Sequence, residues 1–278
     1  MSGISVWQSV VLGVVEGLTE FLPVSSTGHL KIGEGLMGID VGDPSVVGFT
    51  AVIQVGAIAA VLVYFRADIV RLVRAWFRGV ARPAARDDHD YRLAWWIIFA
   101  TIPIVVAGLL AKPLIDGPLA SLWVVAASLV GGSAVLAVAE RFGRRRRTEA
   151  DATAADTLII GTSQILALLF PGFSRSGATM SAGLLRGLDR PAATRLSFFL
   201  SLPALTGAGL YELKDAASGD TSVAALAVGT VVSFAVAYAS IAWLLRYVAH
   251  HSFTAFIVYR LGVAAVLAGL LAAGTLSP

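Results

Sequence analysis

The chain has 278 residues, of which 57% are hydrophobic and 14% are charged, and its mean hydropathy is +0.80. Soluble domains carry about 25% charged residues, so this composition excludes a soluble globular enzyme and a disordered protein. The formal net charge of +3 is too small to indicate a nucleic-acid partner, and the absence of cysteine excludes disulfides and thiolate metal sites.

A helix needs about 20 apolar residues to cross the hydrocarbon core of a bilayer. Five stretches reach or approach that length, and one more is interrupted by Pro203 and Gly207. In chain order the predicted spans are 49–65, 93–111, 119–139, 196–213, 223–245 and 253–276. The sequence therefore predicts a multi-pass membrane protein.

Two further segments, 4–30 and 157–185, are apolar but broken by proline, glycine and hydroxyl residues in their middle. Irregular backbone at membrane depth is tolerated only where protein or a water-filled cavity covers it. We therefore expect two re-entrant helical hairpins, which with their flanks occupy 4–40 and 157–190. The fold class expected is all-α, with six full transmembrane helices plus these two hairpins.

The connecting segments differ sharply in their arginine content. Arginines concentrate in 66–92, 141–147 and 186–195, and such segments usually face the cytoplasm. The assignment alternates without conflict if both termini are outside and the hairpins enter from opposite faces. We expect an amphipathic helix on the inner surface within 66–92, and no removable signal peptide, because the N-terminus lacks a basic region.

The two hairpins resemble each other. Pro23 matches Pro171 at an offset of 148 residues, and Gly28 matches Gly177 at 149. Each hairpin precedes three spans, and an odd number of spans forces the two halves into opposite orientations. The sequence thus predicts an inverted-topology repeat. Its parts are a first repeat at 1–140, a basic cytoplasmic linker at 141–156 and a second repeat at 157–278, all within a single membrane domain.

Ionisable residues inside membrane segments are functional candidates by default, and here they are Glu16, Glu20, His29, Arg175 and Arg260. Glu16 and Glu20 share one helix face. Two carboxylates so close need a cation, a proton or an arginine between them, and a divalent metal is one solution. The alternative is a buried ion pair with one carboxylate protonated. For Arg260 we expect structural pairing with a carboxylate or a lipid headgroup.

Hydroxyl residues fill the first loop, at Ser25, Ser26 and Thr27, and His29 follows them. A hydroxyl becomes a nucleophile when a base takes its proton, and histidine is the usual base. The alternatives are helix capping by the hydroxyls and a satisfied core position for the histidine.

The second loop carries Ser174, Arg175, Ser176 and Thr179 between glycines and runs into a helix. Hydroxyls and free N–H groups at a helix N-terminus bind oxyanions, and the planar fork of arginine suits phosphate. The alternative is that Arg175 pairs with a glutamate and holds the hairpins together. With acids on one hairpin and an oxyanion cradle on the other, we expect an anionic, phosphorylated substrate with an apolar tail.

Two long motifs carry a family resemblance: EGLTEFLPVSSTGH at 16–29 and PGFSRSGAT at 171–179. They resemble the motifs of the bacterial undecaprenyl-diphosphate phosphatase family of the bacitracin-resistance type. The resemblance covers essentially the whole chain. It implies an enzyme of the bacterial cytoplasmic (inner) membrane that removes the terminal phosphate of undecaprenyl diphosphate. The product is the lipid carrier for peptidoglycan synthesis, and the active site opens to the outer face.

The resemblance also implies roles for individual residues and a divalent cation, Mg²⁺ or Ca²⁺. Glu16 and Glu20 match the acids linked to metal and catalysis, and Arg175 matches the phosphate-binding loop. Ser26 and His29 match the nucleophile and base. We expect Ser26 to attack with His29 as base, while attack by His29 itself or by metal-bound water stays open. The remaining substrate contacts expected are Ser25, Thr27, Ser174, Ser176 and Thr179.

Two rival functions remain at this stage. A transporter or flippase of a polyprenyl phosphate lipid would fit the repeat, because a fold does not fix a function. A second membrane lipid phosphatase superfamily is disfavoured, because its histidine after the arginine motif is missing here. The expected partners are undecaprenyl diphosphate and membrane lipids, with no nucleic acid, and a homodimer is an assembly that the sequence leaves open.

Overall fold

The computed structural model describes residues 4–115, 117, 119, 121–216 and 221–277. These residues form helices and connecting turns, with a single parallel bridge between Arg147 and Leu188. The helices are α1 (Val6–Thr19), α2 (Ser26–Leu36), α3 (Pro44–Tyr64), α4 (Arg66–Ala81), α5 (His89–Ile115), α6 (Leu122–Phe142), α7 (Ala154–Leu169), α8 (Arg175–Leu185), α9 (Arg190–Ala216), α10 (Val223–His250) and α11 (Thr254–Ala272). Short 3₁₀ turns lie at Pro83–Ala85 and Glu149–Asp151.

Both predicted hairpins are helix–loop–helix units. α1 ends at Thr19 and α2 begins at Ser26, while α7 ends at Leu169 and α8 begins at Arg175. Each loop contains its motif proline, which lacks an N–H and disfavours helical backbone at the residue before it. α2 and α8 are both 11 residues long, so the second arm of each hairpin is too short to cross a bilayer.

Within the described residues, five helices are long and apolar enough to cross a membrane: α3, the part of α5 at His89–Ala111, α6, α10 and α11. The predicted span at 196–213 lies inside α9, a 27-residue helix that contains Pro203. α9 is not among the five, although its length of about 40 Å would suffice. The all-helical, multi-pass fold class is confirmed, and the count of six spans stays a prediction.

Glycines let the hairpin helix α1 lie directly against α10. A Cβ atom added to Gly17 would stand 2.7 Å from the carbonyl oxygen of Ser233, and one added to Gly13 would stand 2.6 Å from that of Gly229. Small residues permit such backbone contact where no hydrophobic force drives helix association in lipid. The α1–α10 crossing therefore holds the first hairpin tightly against the second half of the chain.

A cluster of buried aromatic rings packs against the first loop. Phe21 meets the ring of Phe198 edge-on with centroids 5.4 Å apart, and Phe65 packs between Phe198 and Phe199. These rings come from the loop and from the α3–α4 and α9 segments. Edge-to-face contacts stabilise such rings beyond the contribution of their buried area, so the aromatic cluster holds the first loop in place.

The basic linker is tied down by acidic residues. Asp156 is fully buried and accepts hydrogen bonds from Arg147 at 2.5 Å and Arg186 at 2.7 Å. Burial raises the pKa of its carboxyl, but the hydrogen bonds from Arg147, Thr153 and Arg186 outweigh that and hold the pKa well below its usual range. Arg147 in the basic linker is therefore not merely solvated, because its partly exposed side chain pairs with the buried carboxylate of Asp156.

Candidate active site

The two loops meet at the N-termini of α2 and α8, which begin in the same way. Ser25 and Ser174 are the N-cap residues, with φ of 77° and 72° respectively. Each hydroxyl accepts the N–H three residues later, from Gly28 at 3.3 Å and from Gly177 at 3.1 Å. A positive φ is unusual outside glycine and marks sites where the surroundings over-determine the backbone. Helix capping by the hydroxyls, one of the alternatives open in the sequence, is thus observed at both serines.

Glu20 joins the two hairpins. One carboxylate oxygen accepts Nη2 of Arg175 at 2.5 Å, and the other accepts the hydroxyl of Ser26. The Glu20 side chain is 5% exposed and that of Arg175 is 15% exposed. The sequence left open whether Arg175 binds phosphate or pairs with a glutamate. The structure shows the pairing with Glu20.

A second cross-link runs through Ser176, whose hydroxyl donates to the carbonyl oxygen of Leu22 at 2.7 Å. Thr179 contacts the hydroxyl of Ser197 at 2.6 Å. Neither residue is among the described residues that line the cavity at the site, whereas Ser174 is. Ser176 and Thr179 therefore hold the second loop in place instead of facing the space where a substrate fits.

Ser26 and His29 have different hydrogen-bond partners. His29 contacts the carbonyl oxygen of Ser25 through Nδ1 at 2.7 Å and the hydroxyl of Tyr259 through Nε2 at 2.9 Å. His29 is not among the described residues that line the cavity, and its ring stacks on that of Tyr259. The structure thus places Glu20, not His29, within hydrogen-bonding reach of the Ser26 hydroxyl.

Glu16 and Gln164 face the same cavity with unused oxygens. Glu16 is 1% and Gln164 0% exposed, and the Oε1 atom of each has no hydrogen-bond partner among the described residues. Gln164 aligns with Glu16 at the same offset of 148 residues that relates Pro171 to Pro23, although its residue type alone indicated no role. The sequence signal that could have identified Gln164 is this alignment, which matches its amide in the second hairpin to the carboxylate of Glu16 in the first.

A divalent cation fits this donor set. The carboxylates of Glu16 and Glu20 lie near one guanidinium, that of Arg175, so one negative charge stays uncompensated if both acids are ionised. In addition, the buried Oε1 atoms of Glu16 and Gln164 have no hydrogen-bond partner among the described residues. No group of three or more His, Cys, Asp or Glu residues in the described part of the chain could hold a metal by itself. Mg²⁺ is commonly held by one or two carboxylates, with water and substrate phosphates completing the shell. Glu16, Glu20 and Gln164 would be its protein ligands.

The cavity itself measures about 350 Å³. Its lining combines the charged and hydroxyl groups described above with apolar side chains that include Ile104, Leu168, Ala204 and Leu205. Glu34 also lines it and is 3% exposed, and its position just after the apolar segment 4–30 gave no indication of that burial. A lining that holds both charged and apolar groups suits an amphiphile whose head is anionic.

Arg260 is completely buried, and its hydrogen bonds correct the expectation for it. The guanidinium donates to the backbone carbonyls of Phe173 at 2.8 Å, Pro23 at 3.1 Å and Gly172 at 3.2 Å. Among the described residues no carboxylate pairs with it, and a buried side chain cannot reach a lipid headgroup. Loop carbonyls are its partners instead.

Comparison with known proteins covers almost the full chain. Residues 9–266 match the family model described as "Bacitracin resistance protein BacA". "Undecaprenyl-diphosphatase 1" of Frankia alni is 72% identical over 277 residues, covering 100% of both chains. "Undecaprenyl-diphosphatase 1" of Streptomyces avermitilis is 67% identical, again over 100% of both chains. "Undecaprenyl-diphosphatase" of Corynebacterium diphtheriae is 48% identical over 99% of this chain and 98% of that protein.

Proposed function

Because the chain belongs to the bacitracin resistance protein BacA family, we propose that it is an undecaprenyl-diphosphatase of the bacterial inner membrane. The reaction converts undecaprenyl diphosphate and water to undecaprenyl phosphate and inorganic phosphate. It recycles the lipid carrier for peptidoglycan synthesis, and it confers bacitracin resistance. The observation that carries the proposal is the hydrogen-bonded cluster of Ser26, Glu20 and Arg175 in a cavity that is also lined by apolar side chains.

The charged cluster provides the parts that phosphoryl transfer needs. The guanidinium of Arg175 and the N–H groups at the start of α8 bind the terminal phosphate and stabilise the charge that develops on it. The Ser26 hydroxyl attacks phosphorus and passes its proton to a carboxylate oxygen of Glu20. The bond to the bridging oxygen breaks, and undecaprenyl phosphate leaves.

Water then completes the cycle. Glu20 gives the proton from Ser26 to the departing undecaprenyl phosphate, and then accepts one from the water that attacks the phosphoserine. The P–O bond to Ser26 breaks, the serine oxygen regains a proton from Glu20, and inorganic phosphate is released. His29, our expected base, serves in this scheme to hold the carbonyl of Ser25 at the start of α2. Direct attack by His29 or by water remains an alternative step at the same site.

The cation belongs to the proposal. Glu16, Glu20 and Gln164 would hold Mg²⁺ or Ca²⁺, and the ion when bound would neutralise negative charge on the diphosphate. Chelation should abolish turnover, and readdition of the cation should restore it. Isothermal titration of the cation into the wild type and into Glu16→Gln checks binding without activity, and equal binding by both would contradict the assignment.

The finer topology is part of the proposal too. We propose six crossings, two re-entrant hairpins, both termini outside and a site open to the outer face. Helix pairing supports the inverted repeat, because α1 packs on α10 of the opposite half while α7 packs on α5 of the first. Helices α6 and α11, which close the two halves, also pack on each other.

That pairing also favours a second candidate function, a carrier or flippase of polyprenyl phosphate lipids. Phosphate release separates the two. Protein purified in detergent is incubated with undecaprenyl or farnesyl diphosphate and a divalent cation, and inorganic phosphate is measured. The phosphatase releases phosphate and the carrier releases none.

Arg175→Ala is the decisive variant in that assay, since it removes the guanidinium from both the phosphate and Glu20. We expect turnover to fall by at least about 100-fold. Arg246→Gln is the matched control, because Arg246 lies exposed near the end of α10 and should keep the wild-type rate. A wild-type rate in Arg175→Ala would refute the assigned site.

A further inference from the structure

The four hydrogen-bond acceptors of Arg260 come from three separate parts of the fold. Pro23 belongs to the first loop, and Gly172 and Phe173 belong to the second. A longer contact of 3.5 Å reaches the carbonyl of Ser128 in α6. One guanidinium on α11 thus connects both hairpin loops with a transmembrane helix.

The three acceptors in the loops lie one or two residues before the strained N-cap residues of α2 and α8. Pro23 is followed at once by Val24 and the N-cap Ser25, and Phe173 directly precedes the N-cap Ser174. Both caps have positive φ, which the surroundings must enforce. The reactive side chains Ser26 and Arg175 are the residues that follow the two caps, so the position of each depends on the carbonyls that Arg260 holds.

Burying a cation without a carboxylate partner in a membrane protein is costly. Packing alone would be served at lower cost by an apolar side chain of similar volume. Arginine is the residue whose flat, multi-donor head can reach acceptors on different sides at once. The fold therefore keeps the buried guanidinium of Arg260 despite its desolvation cost. What an apolar residue of the same volume could not replace is the geometry of its several donors.

We infer that Arg260 is a positioning residue for the phosphatase reaction: it holds the two loops together so that the Ser26 hydroxyl and the Arg175 guanidinium address the same phosphate. Arg260 is not among the described residues that line the cavity, so it acts through the loops. The inference rests on the proposed function. A displacement of about 1 Å between reacting groups can cost about 100-fold in rate.

Two neighbouring glycines of α6 provide a matched pair of variants. A Cβ atom at Gly132 would collide with Nη2 of Arg260 and would stand 2.6 Å from the carbonyl oxygen of Phe173. A Cβ atom at Gly131 would meet nothing within 4 Å. Gly132→Ala therefore disturbs the clamp while Arg260 is still present, and Gly131→Ala makes the same chemical change without touching it.

The test measures kcat and KM for farnesyl diphosphate with monodisperse protein, together with thermal stability in detergent. We expect Arg260→Gln and Gly132→Ala to lower kcat by about 100-fold while KM changes far less, because alignment acts mainly in the transition state. Arg260→Lys should recover part of kcat, since it restores the charge and some of the donors. Gly131→Ala should match the wild type.

The opposite results are equally definite. Wild-type kcat per folded molecule in Arg260→Gln and Gly132→Ala, with only stability reduced, would make Arg260 a folding residue and overturn the inference. Failure of Arg260→Gln, Gly132→Ala and Arg260→Lys to fold would overturn it as well. The proposed function is judged separately by the wild-type rate and Arg175→Ala, whereas the inference depends on ratios within the variant set.

Discussion

At the scale of single residues, Glu20 is the centre of the site, because it contacts both the attacking hydroxyl and the phosphate-binding guanidinium. Its two roles can be separated. Arg175→Met leaves the carboxylate buried without its cation, and breaking a buried pair in this way typically costs about 3–5 kcal/mol. The double variant Glu20→Gln with Arg175→Met removes both charges.

We expect the double variant to regain most of the lost stability but no activity. Thermal denaturation in detergent and phosphate release measure the two properties on the same samples. A double variant as unstable as Arg175→Met alone would show that the pair does not stabilise the hairpin contact.

The neighbouring serines Ser25 and Ser26 should differ in their contribution to rate. Ser26→Ala removes the hydroxyl that Glu20 accepts, and we expect kcat to fall by about 100-fold or more, the size of a general-base contribution. Ser25→Ala removes an N-cap hydrogen bond, which typically costs about 1 kcal/mol of stability, and should lower kcat less. Single-turnover phosphate release compares them, and equal, mild losses would argue against a serine nucleophile.

At the scale of helices, the glycines of the first hairpin decide how closely α1 packs against α10. Gly17→Ala would force apart α1 and α10, because its Cβ has no room beside the α10 backbone. We expect a loss of about 1–3 kcal/mol, typical of overpacking, with a lower melting temperature. Gly33→Ala in α2 is the control, since its Cβ would make only an ordinary contact 3.8 Å from Leu12. A wild-type melting temperature for Gly17→Ala would contradict the tight packing of α1 against α10 at this position.

The helical hairpins also show how far a sequence pattern can be carried. The prolines and hydroxyl clusters correctly predicted two helix breaks, because proline punctuates a helix wherever it occurs. The same pattern placed Ser176 and Thr179 in a cradle, whereas their hydroxyls turn towards Leu22 and Ser197. Which side of a short helix faces a cavity depends on the neighbouring helices, and residue order does not encode that directly.

At the scale of the whole molecule, the buried carboxylate of Asp156 makes the stability of the protein sensitive to acid, because it pairs with Arg147 and Arg186. Its folded-state pKa is depressed, so its stabilisation is present above the unfolded value of about 3.9 and is lost as pH falls towards the folded value. Between about pH 5 and 8 it is constant. Asp156→Asn should therefore lower the melting temperature at pH 7 and differ less from the wild type in acid.

The control for this pH series is Asp87→Asn, because Asp87 is exposed and should leave the melting curve unchanged at every pH. Differential scanning fluorimetry from pH 3 to 8 records both. A constant difference between Asp156→Asn and the wild type across that range would contradict the linkage.

The proposed topology can be mapped with single cysteines, because the natural chain contains none. Asp40→Cys should react with a membrane-impermeant maleimide in intact cells, whereas Arg144→Cys should react only after the membrane is opened. Labelling of Arg144→Cys in intact cells would invert the orientation. Thr275→Cys, just beyond α11, should react like Asp40→Cys if the C-terminus is outside.

The sequence by itself determined that this is a multi-pass helical membrane protein with two broken hairpins and with acids, hydroxyls and an arginine in their loops. It could do so because hydrophobic length and proline placement act locally along the chain. Only the tertiary structure decided the partners: Glu20 beside Ser26, His29 beside Tyr259, and Arg260 on loop carbonyls instead of an acid. The contacts of His29 and Arg260 join residues from distant parts of the chain, and the contact of Glu20 with Ser26 spans the non-helical loop between α1 and α2. Such pairings depend on how the helices and loops pack, which no local pattern contains.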